Sequence, residues 1–455
     1  MRPPTRPAAI AVITVLTLAS CGTGAPPGQE TVTLVIAANS ISGGKNSESA
    51  DWIKQWVIPG FEKDHRNVKV LFRPSGVDDE QYKTKIALDF KAGGGADVID
   101  LDGIWVGEFA QAGYVKPLAE VGGPVVDSWE GWSQIPQAVQ GLGVFDGKKY
   151  GLPQGTDGRV LFYNKTLFRK AGLPEQWQPR SWQEIIDAGT KLKAAGVPVP
   201  IQIDAGTAMG EATTMQGVLP LLAGAGAEIY ANGTWTGASQ AMKDVLRFYQ
   251  QIYGGSGLGD PKLQQEAKGR DKSFAQFAEG KIAILAESDY FWRSVIEPGA
   301  GIAPMKDRDQ TVGYARIPAR QPGAGIRGQD HVSMSGGAVR VLNPFSKHPK
   351  LAWELLAFMH SAAATKAQLA GQVRISSRGD VNDEVLTDDP MLKYVADDVL
   401  PITAYRPGVA VYPQVSVALQ EATAAVVSGK SPDEAAAAYQ AKLAQLVGGA
   451  AHVSG

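Results

Sequence analysis

The chain has 455 residues, 44% of them hydrophobic and 20% charged, which is the balance of a folded globular protein with more residues than one core normally holds. Its formal net charge of −2 comes without a basic stripe, which argues against a nucleic-acid partner. The single cysteine excludes disulfides within the chain and zinc sites built from several cysteines.

The first thirty residues have the features of an export signal. Arg2 and Arg6 precede an apolar run from Ala8 to Leu18, which is shorter than the roughly 20 residues of a permanent membrane helix. The sequence Leu18-Ala19-Ser20-Cys21 that follows resembles the bacterial lipobox, in which the cysteine is acylated and becomes the new N-terminus. We therefore expect residues 1–20 to be a lipoprotein signal peptide and 21–30 a lipid-anchored tether. The alternative is an ordinary signal peptide with an incidental cysteine.

The region after this signal alternates between strand and helix patterns. Alternating and β-branched stretches predict strands over residues 31–37, 68–72 and 96–101. Helical spacing of apolar residues predicts helices over 49–65, disturbed at Pro59-Gly60, and over 79–91. Such alternation predicts a mainly parallel sheet, in which ligands lie beyond the carboxyl ends of the strands. The candidate ligand contacts at these ends are Asn39, Ser40, Asp102 and Trp105.

Further elements are expected in the second half of the chain. Residues 159–163 predict a strand, and Ser181 with Glu184 has the spacing of a capping box at the start of a helix that runs to Leu192. Stretches rich in glycine and proline predict surface loops over 254–259 and 317–328. The alanine-rich tail from Pro432 to Val447 predicts an amphipathic helix.

Signatures of common enzymes and cofactor sites are missing from the sequence. Gly429-Lys430-Ser431 imitates the end of a phosphate-binding loop, but Ala424 stands where the upstream glycine is required. The five histidines lack the spacing of metal ligands, and Asp97, Asp100 and Asp102 lack the order of a calcium loop. For Asp97 and Asp100 we expect structural roles at strand ends and caps. We expect no cofactor and no metal, although two glycosidase carboxylates need be adjacent only in space.

Four segments, in this order, resemble one protein family. They are Phe61-Glu-Lys-Asp-His with Val68-Lys-Val; Asp97-Val-Ile-Asp-Leu-Asp with Phe109-Ala-Gln-Ala-Gly113; Gly151-Leu-Pro with Leu161-Phe-Tyr-Asn-Lys165, Ala171-Gly-Leu-Pro and Ser181-Trp-Gln-Glu184; and Phe277-Ala-Glu-Gly-Lys-Ile-Ala-Ile284 with Ser335-Gly-Gly-Ala338 and Lys347-His-Pro-Lys-Leu-Ala-Trp-Glu354. Together they resemble the extracellular solute-binding proteins of carbohydrate ABC importers, of the maltose-binding type. The resemblance implies an α/β fold of two lobes joined by a hinge and no catalytic activity. We expect lobe 1 to comprise residues 31–155 and 334–378, and lobe 2 residues 156–333 and 379–455.

The resemblance also implies a sugar site. It places an acidic ligand residue at Asp157, where Gly155 and Gly158 leave room for a ring; the alternative for Asp157 is a plain Asp-Gly turn. It places a stacking aromatic at Tyr290, with Trp292 as the alternative, because an aromatic face can desolvate the C–H face of a sugar. The remaining expected contacts are Glu287, Ser288, Gly336, Gly337 and Arg406. Ile104 and Trp105 stand where the family has charged ligand residues, so Asp102 becomes the polar candidate there.

These expectations describe an exported protein held on the outer side of the cell membrane only by a lipid. Its partners would be a di- or oligosaccharide, with an α-glucoside favoured, and the permease subunits of an ABC importer, and we expect a monomer. Alternatives of the same class bind glycerol-phosphate diesters, compatible solutes or peptides. Alternatives of other classes are an exported glycan-cleaving enzyme and a sensor or adhesin with the same fold.

Overall fold

The computed structural model describes residues 31–370 and 373–455. Its strands, in chain order, are β1 (Val32–Ala38), β2 (Val68–Pro74), β3 (Val98–Asp102), β4 (Val144–Phe145), β5 (Lys148–Lys149), β6 (Gly151–Pro153), β7 (Arg159–Asn164), β8 (Val199–Gln202), β9 (Tyr230–Ala231), β10 (Thr234–Thr236), β11 (Ile282–Ser288), β12 (Val312–Ala315), β13 (Ile317–Pro318), β14 (His331–Ser335), β15 (Ala338–Leu342), β16 (Thr403–Tyr405) and β17 (Val453–Ser454).

The α-helices, in chain order, are α1 (Ser47–Trp52), α2 (Ile58–Asp64), α3 (Asp79–Lys91), α4 (Val106–Gln111), α5 (Leu118–Gly122), α6 (Gln137–Gln140), α7 (Lys165–Lys170), α8 (Trp182–Ala194), α9 (Leu219–Gly224), α10 (Gln240–Tyr253), α11 (Gly269–Ala278), α12 (Arg308–Thr311), α13 (Pro349–Met359), α14 (Ala362–Leu369), α15 (Gly379–Val385), α16 (Pro390–Tyr394), α17 (Tyr412–Val427) and α18 (Pro432–Leu446). Four π-helical segments lie at Ile53–Val57, Thr213–Val218, Phe291–Val295 and Val395–Val399. Short 3₁₀ turns lie at Gly103–Trp105, Pro124–Val126, Glu130–Gln134, Gly141–Gly143, Leu400–Ile402 and Ala450–His452.

Lobe 1 is built on a five-stranded sheet in the order β2-β1-β3-β15-β6. β1 pairs in parallel with β2 and with β3, which confirms the arrangement predicted for the first three strands. Each of these strands begins and ends within two residues of its prediction. β15 runs antiparallel to both β3 and β6, so the sheet is mixed rather than mainly parallel.

Lobe 2 is built on a four-stranded sheet in the order β12-β7-β11-β8, beside a three-stranded sheet in the order β13-β14-β16. β11 is parallel to β8 but antiparallel to β7, and all of its residues are buried. The prediction of a mainly parallel sheet is therefore wrong for this lobe too. The segments that cross between the lobes lead directly from a strand of one lobe into a strand of the other. They lack the helical crossover that would make neighbouring strands parallel.

The chain crosses between the two sheets three times. Residues 154–158 lead from β6 to β7, and Gly336 and Gly337 lead from β14 to β15. After α14 the chain returns past β6, where Ser376 forms a bridge with Gly155. The apolar core follows this layout, because one buried cluster continues from Leu34 in lobe 1 to Phe162 in lobe 2.

Local signals placed the four helices that were predicted. α3 has the predicted bounds, with Tyr82, Ile86 and Phe90 buried. Helical backbone runs from Ser47 to Asp64, and the predicted disturbance takes the form of the π-helical segment just before Pro59. Proline has no N–H to donate to the preceding turn, and a widened turn accommodates that loss.

One cap differs from its prediction, and another forms that was not predicted. The Ser181 hydroxyl accepts a hydrogen bond from Glu184 N, but the Glu184 carboxylate accepts one from Arg180 N, so the predicted capping box does not close. A complete box instead joins Ser431 and Glu434 at the start of α18. Gly429-Lys430-Ser431, which imitates the end of a phosphate-binding loop, therefore leads into helix α18. The predicted loop at 317–328 begins with the buried strand β13.

Candidate ligand-binding cleft

A polar cavity of about 450 Å³ lies between the two lobes. Lobe 1 contributes strand ends and α1, the first two crossings contribute backbone and short side chains, and lobe 2 contributes the turn after β11. Seven of the expected contacts line it: Asn39, Ser40, Asp102, Trp105, Asp157, Gly336 and Gly337. The topology brings these residues together because the carboxyl ends of β1 and β3 meet at the edge of the sheet that faces the crossings.

The wall in lobe 1 is formed by residues that end β1 and β3. The Asn39 amide donates hydrogen bonds to Val77 O, at 3.1 Å, and to Asp79 Oδ1, at 2.9 Å, which fixes the side chain. Asp102 Oδ1 accepts a hydrogen bond from Ile104 N at 3.1 Å. Burial raises the pKa of Asp102, and this hydrogen bond only partly opposes the effect. Trp105, although mostly buried, supplies the aromatic surface of this wall.

Asp157 connects the first two crossings. Its Oδ1 accepts hydrogen bonds from Gly336 N, at 2.7 Å, and from the Arg159 guanidinium. Arg159 is itself held by Gln216, whose Oε1 lies 3.1 Å from the arginine Nε. Burial alone would raise the pKa of Asp157, but the charge of Arg159 and the hydrogen bond from Gly336 lower it overall. The side chain is therefore an ionised, fixed acceptor in the cleft.

An acid and two arginines that the sequence did not reveal also line the cavity, Asp289 and Arg293 from lobe 2 and Arg374 from the segment after α14. Asp289 Oδ1 accepts a hydrogen bond from Gly158 N at 2.9 Å, and its Oδ2 accepts one from Arg293 Nε at 3.0 Å. The four-residue separation of Asp289 and Arg293 is a helical ion-pair spacing, and it was the available signal for that pair.

Four expected contacts lie outside this lining. Glu287 and Ser288 are buried in β11, and Glu287 makes a bidentate pair with Arg270, at 2.6 and 2.8 Å. Tyr290 is half-buried, with the Arg293 guanidinium 5.6 Å from its ring centroid. Arg406 lies in an adjacent crevice with Asp102 and forms an ion pair with Glu211 at 3.1 Å.

Other acids and aromatics have structural roles. Asp97 accepts hydrogen bonds from Val35 N and from the Ser346 hydroxyl, which confirms its predicted place at a strand end. Asp100, expected at a strand end or cap, lies in the middle of β3, where it pairs with Arg340 and also lines the cavity. Trp292 is buried, and its indole N–H donates to Asp389 at 3.1 Å, so it packs within lobe 2.

A family model described as "bacterial extracellular solute-binding protein" matches residues 45–366. The chain belongs to this family. Among its curated relatives, a putative binding protein of Brucella abortus (strain 2308) is 24% identical over 354 residues, which cover 77% of this chain and 79% of the relative. The family resemblance drawn from the four sequence segments is thereby confirmed.

Solved structures share the fold of this solute-binding protein. The sugar-binding protein MalE of Xanthomonas citri matches with a TM-score of 0.73 at 19% identity, covering 92% of this chain and 98% of that one. The cyclic α-maltosyl-1,6-maltose binding protein of Arthrobacter globiformis matches with a TM-score of 0.70 at 18% identity, with the same two coverages. These similarities confirm the two-lobe α/β fold.

Membrane attachment of this solute-binding protein was expected only through its N-terminus. Within residues 31–370 and 373–455, every helix is too short or too polar to span a bilayer. Cys21 and the expected signal peptide lie outside the described residues.

Proposed function

We propose that this solute-binding protein is the lipid-anchored substrate-binding subunit of an ABC importer, and that it binds a di- or oligosaccharide, with an α-glucoside favoured. The observation that carries the proposal is the polar cleft between the lobes, where carboxylate, amide and hydroxyl groups converge beside one indole. Its volume of about 450 Å³ is within the range of small-molecule sites.

The sugar would be held mainly by acceptors that are already fixed. The carboxylates of Asp102 and Asp157 would each accept hydrogen bonds from sugar hydroxyls, which charge assistance strengthens. Trp105 would cover the C–H face of a ring. At Gly336 a Cβ would meet only Asp157 Oδ1, at 3.7 Å, and Arg406, at 3.8 Å, so the missing side chain leaves open space for the ligand. Asn39, Ser40 and Gly337 complete the proposed contacts in this part of the cleft.

The four expected contacts that lie outside the lining would act on the ligand from the edges of the cavity. We propose that Arg406 reaches the ligand from the crevice that it shares with Asp102. Tyr290 remains the proposed stacking residue of lobe 2, which requires the ring to leave its half-buried position when the lobes close. Glu287 and Ser288 would contribute indirectly, since the Glu287 carboxylate holds Arg270.

Binding would close the two lobes about the three crossings, with boundaries at residues 31–155 and 334–378 for lobe 1, and 156–333 and 379–455 for lobe 2. A ligand shifts such an equilibrium only by its different affinity for the open and closed states. Contacts to both lobes supply this difference, because the contacts to the second lobe form only on closure. The permease subunits would recognise the closed, loaded form.

A thermal-shift screen of neutral and acidic saccharides, followed by small-angle scattering, tests this function. A saccharide that binds only the native state should raise the melting temperature by mass action, and a saturating amount should reduce the radius of gyration of a monomer. Chromatography of the same mixture should recover the saccharide intact, whereas cleavage products would favour the glycan-cleaving enzyme. Tight binding with unchanged scattering would contradict closure, and the absence of any binding saccharide would contradict the function.

The lipid anchor depends on Cys21. If it is acylated, Cys21→Ala should move the protein from the membrane fraction to the medium or leave an unprocessed precursor. Fractionation followed by mass spectrometry of the N-terminus measures both results. A Cys21→Ala protein that stays processed and membrane-bound would contradict the anchor, while Ser20→Ala, which keeps a small residue before the cysteine, serves as the control.

A further inference from the structure

Two arginines that are distant in sequence meet in the cleft. Arg293 lies in the π-helical segment Phe291–Val295, directly after β11, and Arg374 lies in the segment that returns from α14. Both line the same cavity. The third crossing thus brings the guanidinium of Arg374 to the cavity that Arg293 also lines.

Arg293 is oriented by a buried acid. Its Nε donates to Asp289 Oδ2 at 3.0 Å, and Asp289 is only 1% exposed. Its Nη1 lies 3.3 Å from the Ser294 hydroxyl, and the side chain as a whole is 26% exposed. Among the described residues, Nη2 has no hydrogen-bond partner. The arginine is therefore fixed at one edge of its guanidinium and presents donors at the other.

Arg374 has no such counter-ion. Within residues 31–370 and 373–455 it forms no ion pair with any carboxylate. Arg374 is exposed to solvent, but partial burial of its guanidinium lowers its pKa, and the positive charge of Arg293 lowers the pKa further, while Glu48 partly offsets both effects. Glu48 belongs to α1 of lobe 1 and is exposed to solvent, so it neutralises Arg374 only weakly.

Of the carboxylates that line the cavity, Glu48, Asp79, Asp100 and Asp102 belong to lobe 1. At the hinge, Asp157 pairs with Arg159 and Asp289 pairs with Arg293, while Arg374, which lines the same cavity as Arg293, forms no ion pair among the described residues. Like charges that line one cavity destabilise each other, and a bound anion relieves this repulsion. Water between the lobes is displaced on closure, which strengthens such an interaction further.

We propose that Arg293 and Arg374 form an anion subsite of the ligand cleft, which takes a carboxylate or phosphate group carried by the ligand. The inference rests on the proposed function, because the sugar part of that ligand would occupy the wall of lobe 1 with Asp102 and Trp105. The substrate class becomes an acidic saccharide, either a uronate or a sugar phosphate. Arginine suits both, since its planar fork donates two parallel hydrogen bonds to either group.

Calorimetry on the full chain with matched ligands tests the subsite. The panel is glucose with glucuronate and glucose 6-phosphate, and trehalose with trehalose 6-phosphate. For at least one pair the anionic member should bind more tightly, with an affinity that falls as ionic strength rises. Which member binds distinguishes a carboxylate from a phosphate ligand. In Arg374→Gln and in Arg293→Gln the ratio of anionic to neutral affinity should fall about ten- to a hundredfold.

Two further variants complete the test. Glu48→Gln should increase the affinity for the anionic member, because a competing carboxylate is removed. Arg320→Gln removes an arginine of lobe 2 that is paired with Asp244 and 47% exposed, and it should leave the ratio unchanged. Equal affinities within every pair that binds, or an unchanged ratio in both cleft arginine variants, would overturn the subsite and leave the saccharide function standing.

Binding of no saccharide, neutral or acidic, would overturn the saccharide function itself. Titration with inorganic phosphate and with glycerol 3-phosphate then decides the subsite separately. Binding of either anion that is lost in Arg374→Gln would support the subsite, and binding of neither would overturn it.

Discussion

Replacing Asp157 with alanine is expected to weaken ligand binding by about ten- to a hundredfold or more. A hydrogen bond to a charged group contributes roughly 1.5–3 kcal/mol, and Asp157 would make such bonds to sugar hydroxyls. The substitution also removes the carboxylate that accepts a hydrogen bond from Gly336 N and pairs with Arg159. These two contacts join the first two crossings. Asp157→Asn keeps the shape and an acceptor oxygen but loses charge assistance, so it should lie between the wild type and the alanine variant.

Calorimetry with a saccharide identified by the screen measures the loss, and thermal unfolding of the unliganded variants measures folding. Because Arg159 is buried, Asp157→Ala should also lower the melting temperature, and Asp157→Asn should do so less. Asp187→Ala is the matched control: this acid lies on the exposed face of α8, and among the described residues its side chain hydrogen-bonds only with Gln183. Wild-type affinity in Asp157→Ala would mean that Asp157 serves the hinge alone.

Replacing Arg340 with leucine is expected to destabilise the protein by about 3–5 kcal/mol, because it leaves the charge of Asp100 buried without a partner. Arg340 is 1% exposed in β15, and its Nε donates to Asp100 Oδ1 in β3 at 2.9 Å. Its guanidinium also lies 4.9 Å from the ring centroid of Trp52. Asp100 also lines the cleft, so ligand affinity is measured separately from stability.

Urea unfolding followed by tryptophan fluorescence measures the change, and a second variant separates its causes. In the double variant Asp100→Leu with Arg340→Leu, no charge remains buried, so most of the lost stability should return. If the double variant is no more stable than Arg340→Leu, lost packing against Trp52 rather than the unpaired carboxylate accounts for the effect.

The sequence by itself determined the elements whose signals are local. The bounds of α3 follow from apolar residues repeating at helical spacing, and β1, β2 and β3 follow from alternating and β-branched stretches separated by helices. The family, the two-lobe fold and seven residues of the cleft could also be predicted from the sequence. The strand ends of a βαβ unit converge wherever the pattern occurs, so their loops could be identified without knowing the rest of the chain.

Only the tertiary structure decided which polar side chains meet. All seven residues of β11 are buried, so alternation could not show that Glu287 would pair with Arg270 inside lobe 2 while Asp289, two residues later, lines the cleft. Arg340 and Asp100 are 240 residues apart, and Arg374 lines the same cavity as Arg293 only because the chain crosses between the lobes a third time. A local pattern reports which residues are apolar and how often they recur. Long-range ion pairs depend on strand order and on crossings, which no local pattern encodes.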